Sequence, residues 1–338
     1  MIFITGATGL VGSHIAYQLL KEGAEVKALK REQSDTSIIE RHFNHYGGDK
    51  SLLNNIRWFN GDLLDILSLC EEMQGCSSVI HAAAYVSFYP GDREKLIKYN
   101  IEGTANMVNA ALDCGIEDFG FISSTAAIGR GKKNRGNETV TEETKWVAGK
   151  KTSNYALSKH YAEREVWRGM EEGLRVFIVN PCIVTGPGNW HQSSAEMFTT
   201  TYKGLKFYTS GSNAFVDARD VAEILLRIMK EGHSGKRFLT IGENMSYRDY
   251  FTLIAKKLNV DPPEYAASKF LTGIAWRLEK IRSLITGNTP LITRDTVRSS
   301  QSNVTYSNRR ILNTLPDFRF TPIETAVENA AERFLKER

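Results

Sequence analysis

Ile2-Phe3-Ile4-Thr5-Gly6-Ala7-Thr8-Gly9-Leu10-Val11-Gly12 decides how the rest of the chain is read. A short apolar run leads into a glycine-spaced turn. Leu10 to Lys21 then place Val11, Ile15, Leu19 and Leu20 on one face, so the order is strand, turn, helix. The three glycines have separate tasks. One permits the tight turn, one lets the backbone approach a bound group, and one lets helix and strand pack closely. The helix N-terminus offers unpaired amides to an anion, and a glycine loop here at the start of a βαβ unit is a cradle for a dinucleotide pyrophosphate. Gly6, Thr8, Gly9, Leu10, Val11 and Gly12 are the expected contacts.

Outward from this stretch, apolar runs alternate with helical patterns. Glu25 to Leu29, Ile56 to Phe59, Ser78 to Ile80, Phe119 to Ile122 and Arg175 to Val179 read as further strands, and Asn100 to Leu112 as a helix. The alternation predicts an α/β fold, a doubly wound parallel sheet of the Rossmann type. Gly129 to Lys151 is polar and precedes the helix opened by Tyr155, so it reads as a loop bordering a site. Asp217 to Lys230 and Ser246 to Leu258 read as helices returning to the main body. The expected division is a dinucleotide-binding core over 1–180, joined by returning segments near 215–242. A smaller substrate-binding region takes 181–214 and 243–338.

Composition excludes several classes. With 41% hydrophobic and 24% charged residues over 338 positions, the chain is globular rather than disordered. A net charge of +4 gives no basic footprint for nucleic acid. Cys70, Cys76, Cys114 and Cys182 lack zinc or disulfide spacing, the seven histidines lack ligand spacing, and no metal is expected. His81 and Cys182 read as packing residues. A strand beginning at residue 2 leaves no room for a signal peptide, and no apolar run is long enough to span a membrane, so the expected location is cytoplasmic.

Tyr155-Ala156-Leu157-Ser158-Lys159 carries the chemistry. Tyr155 and Lys159 are four apart and share one helix face. A phenol with a pKa of about 10 is a poor acid or base near neutrality, and a neighbouring ammonium is expected to lower it. A solvated helix face can carry the same pattern. Here it follows a dinucleotide loop and the hydroxyl-rich Ser123-Ser124-Thr125 at a strand end, where ligands of α/β sheets gather. Hydride carrier and proton shuttle together mean redox chemistry at a carbon bearing oxygen.

Thr5-Gly6-x-x-Gly9-x-x-Gly12 with Tyr155-x-x-x-Lys159 resembles the short-chain dehydrogenase/reductase superfamily, in its extended branch of NAD-dependent epimerases and dehydratases. The resemblance covers residues 1 to about 235. It implies Ser124, counted back from Gly129, with Tyr155 and Lys159 as the catalytic set, Ser123 and Thr125 being alternatives to Ser124. It implies that Tyr155 and Lys159 also touch the cofactor, Lys159 through the nicotinamide ribose. It further implies cofactor contacts from Asp62, Leu63, Ala82, Ala83, Ala84, Asn100, Pro181 and Ile183. Relatives dimerise through helices that correspond to those near Asn100 and Tyr155, implying a homodimer. Relatives that lost the tyrosine or lysine act as dinucleotide-binding sensors, but both residues are present here.

Two finer expectations follow. The second strand ends Ala28-Leu29-Lys30-Arg31, where an NAD site usually carries an acid; two cations suit the 2′-phosphate of NADP, which is favoured over NAD. For the substrate, nucleotide-sugar epimerases and dehydratases often carry an arginine just before the segment Phe215 to Val221, where this chain has Asn213-Ala214. Arg294, Arg298 or Arg309 could supply that charge instead. The strand after Gly23, Asn180-Pro181 and Pro290 to Thr293 resemble instead the dihydroflavonol reductase and 3β-hydroxysteroid dehydrogenase branch. Ala266 to Ile285 reads as a helix with Phe270, Leu271, Ile274, Leu278, Ile281 and Ile285 at helical spacing, packed on the body, closing over an apolar substrate or touching a membrane surface. The expected small-molecule substrate is a bulky, largely apolar alcohol or carbonyl compound, with a nucleotide-sugar as the alternative.

Overall fold

The structure is a computed structural model that describes residues 1–129, 139–149, 152–268, 272–273, 276–277, 279, 282, 290 and 293–338. Its first strand, β1 (Ile2–Thr5), turns at Gly6 into α1 (Leu10–Lys21). There follow β2 (Val26–Lys30), α2 (Ser37–Tyr46), β3 (Ile56–Asn60), α3 (Ile66–Met73) and β4 (Ser78–His81). After a π-helical stretch over Ile97–Glu102 come α4 (Gly103–Asp113), β5 (Asp118–Ile122), α5 (Asn154–Glu171) and β6 (Arg175–Pro181). The second half supplies β7 (Ile183–Thr185), β8 (Ser212–Asp217), α6 (Ala218–Lys230), β9 (Lys236–Thr240), β10 (Glu243–Ser246), α7 (Tyr247–Leu258) and α8 (Ile323–Glu337).

The main sheet is seven-stranded and parallel, in the order β9-β6-β5-β4-β1-β2-β3. Strand order reverses between β1 and β4, which makes the carboxyl ends of those strands the binding crevice of such a sheet. Side chains alternate between two cores, as the pleat requires. Phe3, Val79, Phe119, Phe121 and Ile178 join Met107, Val108, Ala162 and Val166 on the α4–α5 face. Ile4, Ile80, Ile122, Val179 and Phe238 join Ile15, Leu20, Val221 and Leu225 on the α1–α6 face. A second sheet, β10-β8-β7, packs with α7 and α8 around Phe215, Tyr250, Ile254, Val327 and Phe334.

β9 was not anticipated. It begins Lys236-Arg237 and lacks the apolar alternation of a strand, yet it pairs with β6 along its whole length. The expected apolar helix is helical at its described residues Thr272, Gly273, Trp276, Arg277, Glu279 and Arg282, but not at its start. Its first residue, Ala266, pairs with Tyr208 in a two-stranded ribbon (Phe207–Tyr208 with Tyr265–Ala266), and Phe270, Leu271, Ile274, Leu278, Ile281 and Ile285 lie outside the described residues, as do Leu291 and Ile292. Most of the polar loop from Gly129, residues 130–138 and 150–151, also lies outside them. Among the described residues no helix is long and apolar enough to cross a membrane.

Candidate active site

Gly6 has φ +74°, a conformation that side chains other than glycine rarely adopt, and a Cβ there would lie 2.6 Å from the Ala82 carbonyl carbon and the Ala83 nitrogen. The Gly9 amide donates to the Gly6 carbonyl at 2.8 Å, closing the turn. A Cβ on Gly12 would run into the Gly6 carbonyl oxygen, so this glycine lets α1 approach the turn. Gly9 is also the N-cap of α1, without a side chain to cap the helix, and no acid occupies the first turn. Gly9 is exposed and Thr8, Leu10 and Val11 are half-buried. The helix N-terminus therefore presents amides and positive dipole at an open surface, which fits an anionic pyrophosphate.

The end of β4 is bound to this turn. The Ala82 amide donates to the Thr5 carbonyl (3.2 Å) and the Ala83 amide to the Thr5 hydroxyl (3.3 Å). Both His81 ring nitrogens are occupied, Nδ1 by the Thr5 hydroxyl (2.7 Å) and Nε2 by the Thr104 hydroxyl (3.0 Å). Burial lowers the His81 pKa to about 3, so the ring is neutral. Ala82 and Ala83 are half-buried and Ala84 exposed along the crevice. Asp62 is exposed and one of its oxygens accepts from the Leu64 amide (3.1 Å), while Leu63 is buried close against Gly103. Lys30 ends β2 half-buried and Arg31 is exposed; among the described residues neither side chain has an ion pair or hydrogen bond.

Asn100 is built into the scaffold rather than left open. Its amide donates to the Tyr85 carbonyl and the Ser158 hydroxyl (2.9 Å each) and accepts from the Tyr85 amide (2.7 Å). It thereby ties the π-helical stretch and the segment after β4 to α5. Pro181 ends β6, buried, and Ile183 opens β7, half-buried. The Cys182 thiol is close to the Thr240 carbonyl (3.5 Å), and burial pushes its pKa up, which makes it an inert packing group.

The hydroxyl-rich strand end sorts its residues by direction. The Ser123 hydroxyl donates to buried Glu163 (2.5 Å). The Ser124 oxygen caps a short helical turn over Thr125–Ile128 by accepting from the Ala126 amide (3.1 Å), and the same hydroxyl is the neighbour that acts on the Tyr155 phenol. Phe88 stands beside the Tyr155 ring, with centroids 5.3 Å apart. Lys159, 1% exposed, donates to the Ile122 carbonyl (2.9 Å) and lies 4.7 Å from the Phe121 ring centre. Burial lowers its pKa to about 8, and Glu163 opposes that shift.

One expectation is corrected here. Burial raises the Tyr155 phenol above its ordinary value, and the opposing influence is the Ser124 hydroxyl rather than the Lys159 charge. The lysine is directed to the β5 carbonyl instead. Desolvation acts on both groups in favour of their neutral forms.

The position before Phe215 is neutral and locally satisfied. The Asn213 amide donates to the Tyr247 hydroxyl (3.1 Å) and accepts from the Ala214 amide (2.8 Å). Glu163 and Arg237 were missed in the sequence. Glu163 follows Lys159 by four positions and Tyr155 by eight, so helical spacing alone was the available signal; Arg237 gave none because β9 was unrecognised.

Residues 2–242 match the model of the NAD dependent epimerase/dehydratase family. The chain is 29% identical over 312 residues to a Synechocystis protein named "Putative dihydroflavonol 4-reductase", covering 90% of this chain and 86% of that one. It is 31% identical over 252 residues to cinnamoyl-CoA reductase 1 of Oryza sativa, covering 72% and 71%. The crystal structure of gox2253 superposes with a TM-score of 0.80 at 29% identity, covering 99% of this chain and 98% of that one.

Proposed function

This chain belongs to the NAD dependent epimerase/dehydratase family, and within it we propose that it is a reductase or dehydrogenase interconverting a carbonyl and a secondary alcohol on a bulky, largely apolar substrate. The observation that carries this reading is the placement of Ser124 just beyond the carboxyl end of β5, where its hydroxyl acts on the Tyr155 phenol, with the Phe88 ring against the tyrosine. A substrate oxygen fits between two such hydroxyls, and an aromatic wall suits an apolar skeleton. The locally satisfied Asn213 offers no cation to a diphosphate. The dihydroflavonol and cinnamoyl-CoA reductases it resembles support the same class.

When bound, the nicotinamide supplies or accepts the hydride at the carbon bearing that oxygen. A phenol is protonated at neutral pH and burial raises the Tyr155 pKa further, so in the reductive direction it donates its proton to the developing alkoxide. In the oxidative direction it takes that proton back. Ser124 holds the substrate oxygen. Lys159 holds the nicotinamide ribose, and the open N-terminus of α1 holds the pyrophosphate. Lys30 and Arg31, without protein partners among the described residues, are read as the site of a 2′-phosphate, which favours NADP. Residues 181–214 and 243–338 form the substrate-binding region in this reading, with the segment near 215–242 returning to the core. A homodimer would form through the helices beginning near Asn100 and Tyr155, where Tyr161 of α5 is 43% exposed.

A competition between nucleotide-sugars and sterol- or flavonoid-like carbonyls, read by melting shifts and by cofactor absorbance, tests the class. Ketone-dependent cofactor oxidation is expected. Stabilisation by nucleoside diphosphates alone would favour an epimerase or dehydratase.

A further inference from the structure

One turn beyond Lys159 on α5, a carboxylate is enclosed in the protein. Glu163 is 2% exposed and all its contacts are directional. Oε2 accepts from the Ser123 hydroxyl (2.5 Å) and from Asn180 Nδ2 (2.7 Å). Oε1 accepts from Trp167 Nε1 (3.3 Å) and Arg237 Nη1 (3.1 Å). Asn180, fully buried, uses its second donor hydrogen on the Ser124 carbonyl (3.1 Å), and its Oδ1 has no partner among the described residues. The amide is therefore oriented by its donors, one drawn to Glu163 and the other to the Ser124 carbonyl. Arg237 continues outward from β9, with Nε and Nη2 on the Glu142 carbonyl (3.2 and 2.7 Å). Glu142 itself fixes the 139–149 segment by accepting from the Leu239 amide (2.9 Å).

A buried ion pair is a poor source of stability, because desolvating both partners offsets their attraction. What this one provides is position. Glu163 joins the ends of β5, β6 and β9 to the helix carrying Tyr155 and Lys159. We propose that Glu163 is a positioning residue of the active site: through Ser123 and Asn180 it fixes the turn presenting Ser124, and from its own helix it faces the Lys159 ammonium with a negative charge that Arg237 partly balances. The inference rests on the reading of Ser124, Tyr155 and Lys159 given above.

The charges involved can be named from each side. Lys159 is faced by Glu163 from α5 and by neutral His81 from β4, beside the Phe121 ring and Ile122 carbonyl of β5. Glu163 is faced by Lys159 and His160 from α5 and by Arg237 from β9, with Ser123 and Asn180 neutral. Removing the Glu163 charge withdraws an interaction that favours protonated Lys159, so the lysine should lose its proton at lower pH. Removing Arg237 should act in the opposite direction.

The test follows the Lys159 amine by NMR in cofactor-free protein labelled with 13C-lysine, alongside cofactor affinity and kcat against pH. Glu163→Gln should move the lysine midpoint down by about one pH unit, and the alkaline loss of cofactor affinity should move with it. Arg237→Gln, at a half-exposed site that tolerates substitution better, should move the midpoint up; it keeps the inference testable if Glu163→Gln does not fold. Ser123→Ala removes one contact and keeps the charge, so it should lower kcat without moving the midpoint. Unmoved midpoints in Glu163→Gln and Arg237→Gln, or an equal shift in Ser123→Ala, would overturn the inference while Tyr155→Phe still abolished turnover. Full turnover in Tyr155→Phe would instead overturn the reading of the site, and this inference with it.

Discussion

The Lys159 ammonium donates to the Ile122 carbonyl at 2.9 Å, so the lysine is held by the strand end that also presents Ser124. One helical turn back, Tyr155 is acted on by the Ser124 hydroxyl. Strand and helix thus position the three proposed groups together. Preorganisation of this kind is what makes a proton donor useful in a transition state.

Lys159→Met should therefore damage two functions at once. The buried ammonium is lost from the proposed ribose contact, which should weaken cofactor binding about 10-fold or more, and turnover should fall with it. Cofactor titration and steady-state rates on one preparation check this. A variant with normal cofactor affinity would remove the ribose role.

Gly6→Ala should cost both stability and cofactor binding. Its φ of +74° is strained for alanine, and the added carbon would meet the backbone of Ala82 and Ala83, which cannot give way as a flexible side chain would. The strain is of order 1–3 kcal/mol, and denaturant unfolding should show at least that loss. Gly23→Ala is the control for φ alone, since at φ +82° a Cβ there meets nothing within 4 Å.

Arg31→Ala should weaken NADP binding roughly 10- to 100-fold, the worth of a charge-assisted contact, and leave NAD binding nearly unchanged. Equal affinity of the wild-type protein for the two cofactors would show that Lys30 and Arg31 are merely solvated.

Stability should fall as pH drops below about 6.5. His14 is held neutral by burial with its pKa lowered to about 4, His81 to about 3, and His42 well below its ordinary value, so unfolding takes up protons in this range. Each histidine contributes about 1.4 kcal/mol per pH unit between its unfolded and folded values. Asp220 opposes them: burial and Asp217 raise it to about 7, so its contribution is lost as pH rises. Three histidines outweigh one carboxyl. Melting temperatures from pH 7.5 down to 4.5 check the sign, and a flat profile would show that the histidines titrate freely.

The strand-turn-helix at Gly6 was legible because local chemistry determines it: only glycine suits that φ, and the apolar periods on either side are unambiguous. Helix starts at Asp217 and Ser246 were legible to within one residue because both are N-caps with side chains that accept from the first turn. Of the three adjacent hydroxyl residues, position alone could not show that Ser123 is engaged by Glu163, a residue of another element. The phenol's pKa was misjudged for the same kind of reason: helical spacing places Lys159 near Tyr155 but does not show that the Ile122 carbonyl claims its proton. Strand β9 was hidden because Arg237, near its start, serves a buried carboxylate rather than solvent.

The proposed reaction is net hydride transfer to a substrate carbonyl with Tyr155 as proton donor. The most direct measurement follows NADPH deuterated at the transferable position, with an apolar ketone, in the wild-type protein and in Tyr155→Phe. Stoichiometric cofactor oxidation, deuterium on the carbinol carbon of the product, and a rate lower by about 10²–10⁴-fold in Tyr155→Phe, with cofactor still bound, are expected. Product formed from a nucleotide-sugar while the cofactor returns unchanged, or an undiminished rate in Tyr155→Phe, would contradict it.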